Sequence, residues 1–176
     1  MRKVIYGGAC SLDGFLTDRN GGVEWLHFSK DVEEIMRESW ARTDTMLLGR
    51  KTWEWASSHA GPDDPSVSHI KSYVFSRTLK SIPQQKGQLV STDAGAFVKK
   101  LKSVPGKDII VMSGGNFAAS LLEAGVIDEI GLNIHPLLLG SGPAAFLDAG
   151  ARINLELTEC RKLGGGCVFV RYAVKH

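Results

Sequence analysis

Three stretches of this 176-residue chain carry an apolar run directly into residues suited to holding an anion. In Met46-Leu47-Leu48-Gly49-Arg50-Lys51-Thr52-Trp53-Glu54 the run ends at a glycine, where backbone can approach a ligand closely. Two cations and a hydroxyl then open a helix, whose first amides favour a phosphate. In Tyr73-Val74-Phe75-Ser76-Arg77-Thr78 the run ends in two hydroxyls around an arginine, a side chain able to pair bidentately with a phosphate monoester such as the 2′-phosphate that distinguishes NADPH from NADH. In Ile109-Ile110-Val111-Met112-Ser113-Gly114-Gly115-Asn116-Phe117 a glycine pair leaves room for a pyrophosphate against bare backbone. Each stretch taken alone also fits a bland account: an ordinary helix start, a surface turn and a helix-packing turn. The third is not a G-x-G-x-x-G fingerprint, so a standard Rossmann dinucleotide site is poorly supported.

The elements that must position these turns follow from periodicity. Apolar runs predict strands near 3–10, 44–48, 71–75, 88–91, 108–112, 127–134, 152–161 and 166–174. Helical spacing appears at Asp31 to Ala41, where Val32, Ile35, Met36 and Trp40 share a face, and again at Ala94 to Leu101 and Asn116 to Ala124. Strands alternating with helices predict an α/β domain with a mainly parallel central sheet flanked by helices. Three parallel strands would then deliver their anion-compatible turns to one carboxyl edge, where open α/β folds bind ligands. Leu163-Gly164-Gly165-Gly166 separates the last two runs and predicts a C-terminal antiparallel hairpin. Residues 11–24 read as a long loop over the site, and 59–66 as a surface loop.

Composition narrows the function classes. A formal charge of +2 provides no field that would recruit nucleic acid or an anionic membrane, so any anion must be read locally. Cys10, Cys160 and Cys167 are odd in number and widely spaced, which points to reduced thiols rather than a disulfide framework or zinc knuckle. His27, His59, His69 and His135 lack metal-ligand spacing and read as structural or surface residues, so no metal is expected. Trp40, Trp53 and Trp55 read as core or helix-face residues. No apolar run approaches membrane-spanning length and no signal-peptide pattern precedes the first strand, so a soluble, cytoplasmic, single-domain protein over residues 1–176 is expected.

Taken together, Gly49 to Glu54, Ser76-Arg77-Thr78 and Gly114-Gly115 resemble, in order and spacing, the cofactor-binding turns of the dihydrofolate reductase superfamily, in which the glycine pair is typically joined by a cis peptide. Ala9-Cys10-Ser11-Leu12-Asp13-Gly14, Ile127-Asp128-Glu129-Ile130 and Pro136-Leu137-Leu138-Leu139-Gly140-Ser141-Gly142-Pro143 are similar to the riboflavin-biosynthesis reductase branch, the C-terminal domain type of the bifunctional deaminase–reductase. The resemblance covers nearly the whole chain.

It implies a dihydrofolate reductase-like fold and an NADPH-dependent oxidoreductase acting on a small molecule, as a homodimer. Gly49, Arg50, Lys51 and Thr52 would hold cofactor phosphates, Ser76, Arg77 and Thr78 the 2′-phosphate side, and Gly114, Gly115, Asn116 and Phe117 the pyrophosphate and its neighbours. Ala9 would flank the nicotinamide, and Trp25 would wall the substrate pocket. Asp13 becomes a candidate substrate contact, although an Asp-Gly pair is also ordinary turn chemistry. Asp31 is the nearest match to the acid of true dihydrofolate reductases, but Lys30 occupies the expected register and Asp31 suits a helix N-terminus equally well. The H-x-E and P-C-x-x-C signature of the zinc deaminases is absent, so a stand-alone reductase is expected. In the riboflavin pathway that reaction reduces a ribosylaminopyrimidine phosphate to its ribityl form. Dihydrofolate reduction and nucleotide binding without turnover are the alternatives. The apolar 130–139 segment is read as a dimer surface or an internal strand.

Overall fold

In the computed structural model, described for residues 2–59, 67–84, 87–148 and 150–175, the strands pair into one eight-stranded sheet. They are β1 (Val4–Ser11), β2 (Thr43–Gly49), β3 (Lys71–Phe75), β4 (Gln88–Val90), β5 (Asp108–Met112), β6 (Glu129–His135), β7 (Asn154–Lys162) and β8 (Val168–Lys175), in the spatial order β4-β3-β2-β5-β1-β6-β8-β7. Pairing is parallel from β4 through β6 and antiparallel from β6 to β8 and β7. The helices are α1 (Lys30–Arg42), α2 (Arg50–Ser58), α3 (Ala94–Lys102) and α4 (Gly115–Glu123). The expected loop at 59–66 lies, apart from His59, outside the described residues.

Apolar runs became parallel strands because both faces of the sheet centre are covered. One core joins Val4, Tyr6, Leu47, Ile109 and Val111 to Val98 of α3 and Leu121 of α4. On the other face α1 packs through Val32, the only buried residue of that helix, against Leu163, Cys167 and Phe169. The rest of its predicted apolar stripe is only partly covered, and Met36 is 38% exposed.

Of the two readings of the 130–139 segment, this topology favours the internal strand. β6 is internal, hydrogen-bonded to β1 on one side and β8 on the other, so it has no free edge. The segment 127–128 precedes the strand instead of belonging to it. Asp128 accepts from the Val4 amide at 2.8 Å and pairs with Lys102 at 2.7 Å, which anchors the start of β6 to β1. Between β7 and β8 the predicted reversal is a 3₁₀ turn at Gly164–Gly166, where φ of 71° at Gly165 and 78° at Gly166 calls for glycine.

Leu47 is fully buried at the middle of β2, the strand that carries the first turn. Leu47→Ala is expected to destabilise the protein by about 2–5 kcal/mol, measured as a lower urea midpoint with an unchanged denaturant slope.

Candidate active site

The carboxyl ends of three neighbouring strands are flush. In the sheet register Gly49 at the end of β2 lies opposite Phe75 at the end of β3, and Leu48 lies opposite Met112 at the end of β5. All three anion-compatible turns therefore leave the same edge side by side.

The helix starts at this edge divide into two kinds. α1 and α3 carry side-chain caps, with Ser29 accepting from the Val32 amide at 3.4 Å and Asp93 from the Ala96 amide at 2.7 Å. α2 and α4 begin after Gly49 and Gly114, and neither has a side-chain cap. A helix leaves its first amides without intrahelical partners, so two adjacent N-termini present donors at one place. At Gly49 a Cβ would stand 2.5 Å from Ser113 Oγ, so the Ser113 hydroxyl lies directly over this glycine. At Gly114 a Cβ would meet nothing within 4 Å, leaving open space above the backbone.

The other expected cofactor residues serve several ends. Lys51 is exposed and Thr52 half-buried on the first turn of α2. Arg50 is engaged with Glu54, one guanidinium nitrogen lying 2.8 and 2.9 Å from its two carboxylate oxygens, so an anion must compete for it. Ser76 Oγ accepts from the amides of Thr78 and Leu79 at 3.2 and 3.0 Å. This folds the turn and leaves Arg77 and Thr78 exposed. Gly115 is buried, and a Cβ on it would lie 2.6 Å from the Ala144 carbonyl oxygen, so its bareness admits the 144–147 segment. Asn116 is exposed on the first turn of α4. Phe117 packs on Phe75 with ring centroids 4.7 Å apart, tying the second turn to the third. The Gly114–Gly115 peptide is trans, as is every peptide bond of the described residues, contrary to the cis bond implied by the resemblance.

Ala9 is half-buried near the end of β1, between the β5 turn and β6. Beyond it, Asp13 is a fastener. It accepts from Ser11 Oγ at 2.5 Å and from the amides of Leu139 and Gly140 at 3.2 and 2.8 Å, joining the β1 turn to the loop after β6. The Ser11 hydroxyl, followed by those amides, holds its carboxyl below the ordinary aspartate range, which makes it a poor proton donor near neutrality. The 11–24 loop indeed packs along this second loop. Leu16 donates to the Pro143 carbonyl at 2.8 Å, and Phe15 bridges to Ala144.

Asp31 is exposed and accepts from the Gly164 amide at 3.0 Å, securing the hairpin turn. Both catalytic candidates are thus engaged in holding backbone turns. Cys10 is also excluded as a nucleophile at neutral pH, because burial pushes its thiol up to about 11.

One group escaped the reading of the sequence. His135, taken for a structural or surface residue, lies buried at the end of β6 and meets the Trp25 ring edge-on at 5.2 Å. Its Nε2 is 3.2 Å from the Asn133 amide and its Nδ1 3.4 Å from Cys167 Sγ. Burial, followed by the nearby His27, lowers its pKa from the ordinary imidazole value, so the ring is neutral at pH 7. The available signal was the alternation along β6, which places Glu129, Gly131, Asn133 and His135 on one face. Among the described residues no group of three or more His, Cys, Asp or Glu side chains could hold a metal ion. No described helix is long and apolar enough to cross a membrane.

A mainly parallel sheet with one ligand edge and an added hairpin defines an α/β protein of dihydrofolate reductase-like fold. Residues 2–169 match the family model described as RibD C-terminal domain, and the chain belongs to that family. It is similar to the uncharacterized protein YyaP of Bacillus subtilis (strain 168), 34% identical over 97% of this chain and 94% of that protein. The crystal structure of a putative riboflavin biosynthesis protein from Shewanella sp. PV-4 superposes with a TM-score of 0.87 at 23% identity, covering 100% of both chains. Dihydrofolate reductase from Enterococcus faecalis, complexed with NADP(H), superposes with a TM-score of 0.71 at 11% identity, over 99% of this chain and 97% of that one. Both structural likenesses concern the fold.

Asp13→Asn is expected to lower the melting temperature at neutral pH by weakening the link between the two loops. Because the folded pKa is depressed, this stabilisation is complete above the unfolded carboxylate value of about 3.9 and is lost as pH falls through the lower folded value. Melting curves of wild type and variant from pH 7 downward should therefore converge in acid; a constant gap would show that the charge of Asp13 is not what holds the loops.

Proposed function

We propose that this chain is an NADPH-dependent reductase of the riboflavin-biosynthesis type. Its substrate would be 5-amino-6-(5-phosphoribosylamino)uracil or a related small heterocycle linked to a sugar. The observation that carries this reading is the pair of glycine-started, uncapped helices α2 and α4 opening side by side onto the flush ends of β2 and β5. That arrangement suits a dinucleotide pyrophosphate, and membership of the RibD C-terminal domain family supports it.

The residues fit the cofactor. The bare backbone of Gly114 admits phosphate oxygens, while Lys51, Thr52 and the first amides of α2 and α4 donate to them. Arg77, held outward by the Ser76 turn, receives the 2′-phosphate, and Ala9 offers a small surface to the nicotinamide. NADPH, when bound, supplies the hydride. The sugar C1 gains that hydride, its bond to the ring oxygen breaks, and this oxygen takes a proton to give the open ribityl chain. Asp13, whose carboxyl is held below the ordinary aspartate range, is a poor proton donor, so the protein's contribution is chiefly placement of the reacting groups.

Dihydrofolate reduction is the weaker reading, because Asp31 is tied to Gly164 and exposed instead of facing a pocket. Binding without turnover is separated by assay. For assembly we propose a cytoplasmic homodimer formed through the β7 end of the sheet. Its support is that Leu155 and Leu157 on the edge strand are 42% and 53% exposed, with Phe146 and Leu147 at 43% and 45%. Contiguous exposed apolar surface of this kind is typical of interfaces.

Titration with NADPH and NADH, followed by tryptophan quenching, tests the cofactor reading. Tight, NADPH-selective binding is expected, and binding of neither would refute it. Arg77→Ala should weaken NADPH by roughly 10- to 100-fold, the size of a lost charge-assisted contact, while NADH changes little. Equal loss for both removes Arg77 from the 2′-phosphate site. NADPH binding without oxidation across the uracil, pterin and carbonyl substrates would favour a nucleotide-binding protein instead.

A further inference from the structure

The polar residues at the end of β6 form a site of their own. Ile130 and Leu132 of this strand enter the main core, so alternation turns Asn133 and His135 toward the α1 side of the sheet. Asn133 stands between Ala9 of β1 and Phe169 of β8 in the register. Along the carboxyl edge from the phosphate turns of β2 and β5, Ala9 comes first and Asn133 next.

The hydrogen bonds around His135 fix what Asn133 presents. A neutral imidazole has one accepting and one donating nitrogen. The backbone N–H of His27 donates to Nδ1 at 3.4 Å, so the ring proton belongs on Nε2. Asn133 Nδ2 is placed 3.2 Å from Nε2 and Oδ1 is placed on the far side without a partner among the described residues, but opposite an Nε2–H that contact must be the carboxamide oxygen. Oxygen and nitrogen of a carboxamide exchange by a half-turn, and the network decides which is which. The other terminal atom of Asn133 is buried without a partner among the described residues. By this assignment it is the NH2 group, a donor with no acceptor.

We propose that Asn133, oriented by His135, is a specificity-determining residue whose NH2 group receives a ring carbonyl oxygen of a neutral lactam or imide heterocycle. The proposal rests on the reductase reading for the nature of the reaction, and on the orphaned donor for the class of ring. The surroundings favour a carbonyl over an anion. His135 is uncharged, and Trp25 and Cys167 complete its shell. Trp25 and His27 belong to the irregular segment between β1 and α1 that lies against His135, so Trp25 fluorescence reports a change at this site.

Three measurements decide the matter. The ¹⁵N shifts of His135 are expected to show the Nε2–H tautomer; an Nδ1–H ring would overturn the donor assignment. In the NADPH-linked assay with 5-amino-6-(5-phosphoribosylamino)uracil, Asn133→Ala and the isosteric Asn133→Asp should each raise KM by roughly tenfold or more, with NADPH affinity nearly unchanged; both should melt somewhat lower, because Ala leaves the buried His135 Nε2–H unpaired and Asp buries a carboxylate. Unchanged KM in a folded variant overturns the proposal. If the wild-type protein binds NADPH but leaves this substrate unreduced, the reductase reading fails alone, and NMR titration with uracil decides on Asn133. Binding weakened in Asn133→Ala supports the role, whereas equal binding, or none to the wild type, overturns it.

Discussion

Parallel strand pairing is the constraint from which the rest of this molecule follows. A parallel neighbour can be reached only by a crossover, so each exit from β1 through β6 falls on one edge and each return on the other. The pairings of Gly49 with Phe75 and of Leu48 with Met112 bring three sequence-distant turns level to within a residue. Nothing local to those turns achieves this. It depends on the buried middles of the strands, Leu47, Val74, Ile109 and Val111, which fix register by packing on both faces.

The same constraint explains which features were legible in the sequence. A strand end followed by glycine and a helix start is a local pattern, so the β2–α2 and β5–α4 junctions could be read directly, as could the Gly164–Gly166 reversal. Cofactor-side candidates are mostly of this kind. Asp13 illustrates the opposite case. Its neighbours suggested a substrate contact or ordinary turn chemistry, but two of its donors are the amides of Leu139 and Gly140, in a loop far along the chain. His135 is legible only once β1, the segment after it and β8 have been brought together, because His27, Asn133 and Cys167 reach it from three parts of the sequence. The internal position of β6 was similarly ambiguous, since an apolar run has the same appearance whether a sheet neighbour or another subunit covers it.

Polar groups at this edge divide between building and binding. Asp31, Asp13 and Ser76 spend their acceptors on backbone amides that hold turns together. Tight turns at a ligand edge need such fasteners, since their backbone donors would otherwise stand unpaired. What remains for a ligand is therefore largely backbone and cation: the first turns of α2 and α4, Lys51 and Arg77. Asn133 stands apart from both groups, because its neighbour His135 engages only one of its two terminal atoms.

Starting two helices on glycine instead of a capping side chain has a small structural cost, roughly a few tenths of a kcal/mol for each. The two helices meet it differently. α4 buries Gly115, Ala118, Ala119 and Leu121, so packing holds it whether or not its first amides are engaged. α2 buries no residue and rests on its junction with β2 and on the Arg50–Glu54 pair. An anion seated at the two N-termini would supply the absent cap to both, but only α2 lacks a second source of order. Because binding to the folded form stabilises it by mass action, the energetic effect of occupancy concentrates in α2. That helix also contains the Arg50 side chain for which Glu54 and an incoming anion compete. The edge thus combines a deeply packed half, built on α4 and the core, with a half on α2 whose residues are at most half-buried.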